Sequence, residues 1–411
     1  MAAPAISIDN PADFFQNPRF RADPYPAYAA LRAAKPVFWL DVVRGFVLTR
    51  YEDVAVVLRD ARFSVDRTSF RLDMPRPGAG RRARQAFEES RRHNLLFMDP
   101  PDHTRLRASV ARSFTPRRVQ ALRPRIQRIS DELIDAARER GRFDLIRDFA
   151  YPLPVTVIAE LLGLPLTQLD DLKRWSDDFG VVLLEPHLTR EGTEFEGAEQ
   201  SFLELADFLR DVFRSKRARP GDDLLSALLG SELSEPEILS IVSLLLVAGH
   251  ETTTNLIGNA VLALLRNPDQ RRRLEQEPEL MSQAIEEFLR YDSPVQLSRR
   301  VASEDCEVGG QKIRRGERLY LVLGAANRDP GQFEDPDRLD LGRRDARHLA
   351  FGGGIHACLG APLARAEAAI AIDTLLRRLP GFEAEPGEPC WRSLMVLRGL
   401  ASLPLVVPEE H

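Results

Sequence analysis

Cysteine and lysine are scarce in this chain of 411 residues. Its three cysteines, Cys306, Cys358 and Cys390, are too few and too widely spaced for a disulfide framework, so we expect a reducing, cytoplasmic location. Lysine occurs only at positions 35, 173, 216 and 312, so arginine carries nearly all of the positive charge. The formal net charge of -5 argues against a nucleic-acid-binding protein, because such proteins are usually basic.

Long hydrophobic runs are also missing. The longest, IVSLLLVAG at 241–249, is far shorter than the roughly 20 residues that a membrane-spanning helix needs. The N-terminal MAAPAISIDNPADFF contains acidic residues and no apolar segment, so it does not predict a signal peptide. With 44% hydrophobic and 29% charged residues, the composition is typical of a soluble globular protein without a membrane partner.

Helical periodicity dominates from about residue 101 to 290. In SELSEPEILS, Ser234 and Glu237 form a capping box that predicts the start of a helix. No strong stop follows until LLRNPDQ, so this helix exceeds 30 residues and spans about 48 Å.

Short strands are predicted at both ends of the chain. PVFWLDVVRGFVLTR favours a hairpin, and CEVGGQKI and ERLYLVLGA favour strands after residue 293. Residues 64–97 and about 175–196 lack a clear pattern. We predict one mainly α domain with minor β structure over 1–411. Its N-terminal part (about 1–65) is richer in β, a helical body covers about 100–292, and a final β, meander and cysteine-loop region covers about 293–411.

Three motifs are ambiguous when taken singly. In LLLVAGHETTTN, Ala248-Gly249 and the following Glu251 and Thr252 weaken the centre of the long helix, which indicates either a functional site or a passage to a polar edge. EEFLRY allows an ion pair of Glu287 with Arg290, a common pattern. DPPDHTRLR places the cationic His103 and Arg107 on one helix face, suited to an anion or to solvent.

The stretch FGGGIHACLG at 351–360 is more specific. It lacks the Lys-Ser/Thr of a phosphate loop, and Cys358 with His356 alone does not make a tetrahedral zinc site. A lone thiolate does serve as the axial ligand of a haem iron, and glycine lets the backbone approach both the macrocycle and the sulfur.

Together these motifs resemble those of the cytochrome P-450 haem-thiolate monooxygenases, specifically the soluble bacterial kind. The matches occur in the family's order and cover essentially the whole chain: His103/Arg107, AGHETT, Glu287-x-x-Arg290, Pro336-Asp337-Arg338 and Phe351-x-x-Gly354-x-His356-x-Cys358-x-Gly360. The resemblance implies the single-domain P-450 fold, with haem b as cofactor and Cys358 as the ligand of its iron.

Roles for individual residues follow from the resemblance. Phe351 is expected to shield the sulfur, and Gly352 and Gly360 to shape the loop beside the haem. His103, Arg107, Arg300 and His356 are expected to bind the propionates, with Arg299 as the competing neighbour of Arg300. Ala248 and Gly249 are expected to open the long helix at the cofactor, where Thr252 and Glu251 handle protons. Glu287, Arg290 and Arg338 are expected to form a structural ion-pair network.

The resemblance also implies the reaction and its partners. We expect one oxygen atom of O2 to be inserted into an apolar small organic substrate by hydroxylation, or by epoxidation. Electrons are expected from NAD(P)H through a ferredoxin reductase and a ferredoxin. The arginines at positions 112, 117, 118, 343, 344 and 347 are expected to bind the ferredoxin. The expected pocket residues are mostly aliphatic: Leu244, Val247, Ala248, Val295, Gln296, Leu297, Leu394, Met395 and Val396.

The protein is expected to be a monomer. A peroxide-driven peroxygenase, or a non-catalytic haem or small-molecule binder, are the alternatives.

Overall fold

The structure, a computed structural model, describes residue 20 and residues 22–66, 81–184, 192–393 and 395–407. Helices make up most of it, which confirms the predicted mainly α fold with minor β structure. In chain order the α-helices are α1 (Tyr25–Ala34), α2 (Tyr51–Arg59), α3 (Arg81–Arg92), α4 (Asp102–Ala111), α5 (Pro116–Arg140), α6 (Pro152–Leu162), α7 (Leu169–Leu184), α8 (Gly192–Ala218), α9 (Leu224–Leu229), α10 (Glu235–Arg266), α11 (Pro268–Gln276), α12 (Met281–Tyr291), α13 (Leu323–Ala326) and α14 (Ala361–Arg378).

The strands are short and gather in small sheets. They are β1 (Val37–Leu40), β2 (Gly45–Leu48), β3 (Phe63–Ser64), β4 (Arg142–Asp144), β5 (Leu297–Ala302), β6 (Cys306–Val308), β7 (Gln311–Ile313), β8 (Arg318–Val322), β9 (Glu383–Ala384), β10 (Cys390–Trp391), β11 (Leu400–Ser402) and β12 (Pro404–Val406). The largest sheet has the order β1-β2-β8-β5-β3, with β2 and β8 parallel and the other neighbours antiparallel. The predicted hairpin is its β1–β2 edge, where Val37 pairs with Leu48.

The helix α10 is the central element. As predicted, it begins at the Ser234 capping box, where Glu237 accepts hydrogen bonds from the backbone N–H and the hydroxyl of Ser234. It continues for 32 residues and is buried over most of that length within the helical core. Such burial provides most of the stability of a long helix.

Two expectations of irregular structure were wrong for part of their range. Residues 81–92 form α3, residues 175–184 belong to α7, and residues 192–196 begin α8. The sequences of α3 and α8 are rich in charge, so their helical period is hard to see, yet α3 packs its Phe87 ring edge-on against Phe202 of α8 at 5.9 Å. Residues 67–80 and 185–191 of the two stretches lie outside the described residues.

Candidate active site

The loop that carries Cys358 joins a short 3-10 turn, Gly354–His356, to the start of α14. Gly352 and Gly354 have positive φ angles of 68° and 66°, a conformation that favours glycine. At Gly354 a Cβ would also lie 2.6 Å from the backbone oxygen of Leu58, so the loop packs tightly on α2. The backbone N–H of Cys358 donates to the carbonyl of Phe351 at 2.9 Å and closes the loop.

The thiol of Cys358 is accessible at the loop. Its side chain is exposed, but burial by the surrounding protein raises the pKa of its thiol. The backbone N–H groups of Gly360 and Ala361 point at the sulfur and oppose that shift, as does the charge of Arg107. A Cβ at Gly360 would meet nothing within 4 Å, so the space beside the sulfur is open. This is the surrounding that a thiolate ligand needs.

Four cationic or basic side chains converge beside the cysteine loop, those of His103, Arg107, Arg300 and His356. The rings of His103 and His356 lie 4.2 Å apart between centroids, and burial together with His103, Arg300 and Arg107 lowers the pKa of His356 to about 3. Burial lowers the pKa of Arg300 to about 10. In the described part of the chain, Nε2 of His356 has no hydrogen-bond partner, and the approaching carboxylate is that of Asp99, 4.0 Å away. The cluster is therefore arranged for an anionic ligand.

The two neighbouring arginines of β5 have separate surroundings. The guanidinium of Arg299 lies 5.7 Å from the ring centre of Tyr320, whereas that of Arg300 acts on His356. Successive residues of a strand point to opposite faces, which separates them. Of the two arginines, Arg300 is the one that the structure brings to the cationic cluster.

On the long helix, Ala248 is exposed although the helix around it is buried. The hydroxyl of Thr252 donates to the carbonyl of Ala248 at 3.1 Å. The expected break at Ala248-Gly249 does not occur, because α10 stays helical throughout this segment.

Gly249 has a packing role on α10. A Cβ at this position would lie 2.7 Å from Cγ1 of Ile158 on α6. The glycine thus faces the crossing of α10 with α6, and it allows the two helices to approach closely.

Glu251 is buried and belongs to a charged network that the sequence did not reveal. Nη1 of Arg392 lies 2.5 Å from Oε2 of Glu251, and its Nη2 lies 3.0 Å from Oδ1 of Asp177 on α7. Lys173 binds the other oxygen of Asp177 at 2.5 Å. Burial raises the pKa of Asp177, and so does the charge of Glu251. Although burial acts in the opposite direction, contacts with His250 and Arg392 hold the pKa of Glu251 well below its usual range.

The ion-pair network of Glu287 differs from the predicted one. Arg290 binds Glu287 through two contacts of 2.7 and 2.8 Å, and both side chains are fully buried. The third member is Arg343, whose Nε lies 3.1 Å from Oε2 of Glu287. Arg338 is exposed and contributes its backbone carbonyl, which accepts from Arg290 at 3.2 Å. The chain turns after Arg338, and this turn brings Arg343 back to α12.

The predicted pocket residues lie in different packing environments. The Nε2 of Gln296 donates to the carbonyl of Ser293 and to the hydroxyl of Tyr25. Leu297 packs with the cluster around α1 and the outer sheet, and Val295 packs with the cluster around α2.

On α10, Leu244 and Val247 are buried in the helical core, with Gly180 of α7 facing Val247. Met395 is half-buried, Val396 is buried, and Leu394 is outside the described residues.

Known proteins share this architecture. The family model described as Cytochrome P450 matches residues 46–394. The chain is 44% identical to cytochrome P450 107B1 of Saccharopolyspora erythraea, over 94% of this chain and 95% of that protein. It is 43% identical to the vitamin D(3) 25-hydroxylase of Pseudonocardia autotrophica, over 94% of each.

A solved structure, myxobacterial CYP267B1 in complex with myristic acid, is similar in fold. Its TM-score is 0.86 at 44% identity, over 97% of this chain and 99% of that one. Among the described residues, no helix is sufficiently long and apolar to cross a membrane. With the family model matching most of its length, and a thiol set in the loop described above, the chain belongs to the cytochrome P450 family of haem-thiolate oxidoreductases.

Proposed function

We propose that this enzyme holds haem b through Cys358 and inserts one atom of dioxygen into an apolar small organic substrate. Electrons come from NAD(P)H through a ferredoxin reductase and a ferredoxin. The observation that carries the proposal is the environment of Cys358, an accessible thiol with backbone N–H groups on its sulfur. Such donors tune a thiolate that ligates iron.

The residues present fit a haem. Its two propionates supply the anionic charge that His103, Arg107, Arg300 and the unpartnered Nε2 of His356 lack. A Cβ at Gly360 would meet nothing within 4 Å, and Ala248 of α10 is exposed, which is compatible with a macrocycle bound at the sulfur. When bound, the haem supplies the activation of dioxygen, and the thiolate favours cleavage of the O–O bond.

The protein's own part in the reaction is to deliver protons. Thr252 presents its hydroxyl beside Ala248, at the open face of α10. Glu251 lies next to it in sequence and connects through Arg392 to Asp177 and Lys173, which are closer to solvent. We assign Glu251 as the group that passes protons towards Thr252. The guanidinium of Arg392 keeps its own protons, so its part is to hold the carboxylate of Glu251 in place.

The predicted pocket residues are mostly aliphatic, and this composition favours an apolar substrate. The vitamin D(3) hydroxylase and the structure with myristic acid belong to relatives whose named ligands are largely hydrocarbon. We therefore propose a substrate with an extended apolar body, and myristic acid serves as the first probe.

The proposed ferredoxin surface consists of exposed arginines at positions 112, 117, 118, 344 and 347. Arg343 leaves this set, because its guanidinium is almost buried and binds Glu287. The remaining cationic side chains suit an acidic partner.

The experiment begins with the reduced carbon monoxide complex. The wild type should show the red-shifted Soret band of a thiolate ligand, Cys358→Ser should lose it, and the control Cys306→Ser should keep it. Turnover of myristic acid is then measured under labelled dioxygen with NADPH, ferredoxin and reductase. Label in the product supports a monooxygenase. Product formed with hydrogen peroxide, together with none formed from dioxygen, NADPH, ferredoxin and reductase, identifies a peroxygenase and overturns the proposal.

A further inference from the structure

A single carboxylate joins the two ends of the loop that carries Cys358. Glu286 of α12 binds Arg365 through two contacts, Nε to Oε1 at 2.6 Å and Nη2 to Oε2 at 2.8 Å. Its Oε2 also lies 3.2 Å from Nε2 of His348. His348 stands ahead of Phe351, and Arg365 stands in the second turn of α14, after Cys358. The residues on both sides of the loop therefore bind the same side chain, that of Glu286.

The hydrogen bonds of His348 fix its direction. Its Nδ1 accepts from the backbone N–H of Ala350 at 3.2 Å, so in the neutral ring the proton is on Nε2 and is donated to Glu286. Burial raises the pKa of Glu286, but the bonds to Arg365 and His348 outweigh this and lower it to about 2. The carboxylate is thus ionised and bonded on both sides at neutral pH.

Phe351 lies between the two partners of Glu286. The guanidinium of Arg365 is 4.5 Å from the centre of its ring, and the His348 ring is 5.8 Å away and tilted by 51°. A cation over a ring face is attracted to it, so Arg365 holds the ring as well as the carboxylate.

We propose that Glu286 is a positioning residue for the thiolate loop, acting through His348 and Arg365 to hold Phe351 and Cys358 in place. The proposal rests on the role of Cys358 as haem ligand given above. It predicts that loss of the Glu286 carboxylate speeds the loss of the thiolate ligand, although Glu286 is half-buried and does not contact the sulfur.

A matched ion pair separates positioning from general stability. Arg125 of α5 binds Glu160 of α6 with contacts of 2.6 and 3.0 Å, and the side-chain exposures of 33% and 30% are close to the 40% and 29% of Arg365 and Glu286. Glu286→Gln and Glu160→Gln therefore remove similar pairs, one at the loop and one between two helices of the body.

The measurement follows the reduced carbon monoxide complex of the holoenzyme over time, as the thiolate Soret band gives way to that of the thiol-ligated form. The loss of a charge-assisted anchor should make this conversion at least about tenfold faster in Glu286→Gln. It should leave the rate in Glu160→Gln within about twofold of the wild type. Urea midpoints record the general loss of stability in both variants.

Two variants of Arg365, Arg365→Lys and Arg365→Ala, test the proposal independently if Glu286→Gln does not fold. Lysine keeps the charge near Phe351 and Glu286 but lacks the two-pronged geometry, so its conversion should be slower than that of Arg365→Ala. Equal conversion rates in Glu286→Gln and Glu160→Gln, or in the two Arg365 variants, overturn the proposal. A wild type without the thiolate band instead overturns the proposed function.

Discussion

Arg392 holds Glu251 from the C-terminal end of the chain. One nitrogen of its guanidinium binds Glu251 in the middle of α10, and the other binds Asp177 on α7 at 3.0 Å. The backbone N–H of Arg392 donates to Gly399 at 3.0 Å, so the same residue fixes the turn that carries Met395. Glu251 and the turn that carries Met395 are thus held by a single arginine.

Replacing Arg392 by alanine should therefore shift the pH dependence of turnover. The charge of Arg392 is among the groups that lower the pKa of Glu251, so its loss raises that pKa. If ionised Glu251 passes protons, the acidic limb of the pH profile of coupled product formation moves to higher pH.

The matched control is Arg378→Ala, which removes an arginine of 20% exposure from two carboxylates, Asp131 and Asp135. An unchanged acidic limb in Arg392→Ala would contradict the role assigned to Glu251.

The network of Glu287 gives a prediction of stability. Arg343→Ala leaves the fully buried Glu287 with one cation fewer and should lower the free energy of unfolding by about 3 kcal/mol. Arg338→Ala keeps the backbone carbonyl that Arg290 uses, and it should change stability by no more than about 0.5 kcal/mol. Urea unfolding of the two variants checks this, and equal losses would show that Arg343 is not the network's third member.

The environment of Glu237 predicts that its contribution to stability falls as the pH falls. Burial raises the pKa of Glu237. The bonds to Arg105 and to the backbone and hydroxyl of Ser234 together have the larger, opposite effect and lower this pKa to about 2. A carboxylate whose pKa is lower in the folded state contributes stability above its unfolded pKa, about 4.3, and loses it as the pH falls towards the folded value.

Glu237→Gln should therefore destabilise the protein by about 1 kcal/mol at neutral pH and by much less at about pH 3. Urea unfolding at both pH values tests it. A difference between wild type and variant that does not shrink at the lower pH would contradict the assignment.

The proposed ferredoxin surface can be tested by reversing one charge. Arg112→Glu should slow reduction by ferredoxin and leave reduction by dithionite unchanged, since only the protein donor depends on docking. Stopped-flow absorbance measures both rates. Arg214→Glu on α8 makes the same change of charge elsewhere and serves as the control. Equal slowing with both reductants in Arg112→Glu would remove this surface from the proposal.

Sequence patterns predicted the features that depend on neighbours in the chain. The capping box of Ser234 and Glu237, the length of α10 and the β1–β2 hairpin are local, and the structure has all three. Local patterns do not predict features that depend on distant partners, and the meeting of His103 with His356 was expected only from the family resemblance. Arg392 lies 141 residues from Glu251, and no local pattern distinguishes it from other arginines.

Two further differences have the same cause. Arg338 and Arg343 belong to one irregular segment, and only the path of the chain decides which guanidinium returns to Glu287. Gln296 directly precedes β5, and its direction is set by Tyr25 and Ser293 rather than by the neighbouring aliphatic residues.

The consecutive glutamates 286 and 287 carry a consequence for dynamics. Successive residues of a helix point about 100° apart, so one carboxylate of α12 binds the segment of Arg343 and the other binds the cysteine loop. Local unfolding of α12 would break both contacts together. In native-state hydrogen exchange, the amides of the two segments should open as one cooperative unit with a common free energy, so the local stability of the cysteine loop is limited by that of α12.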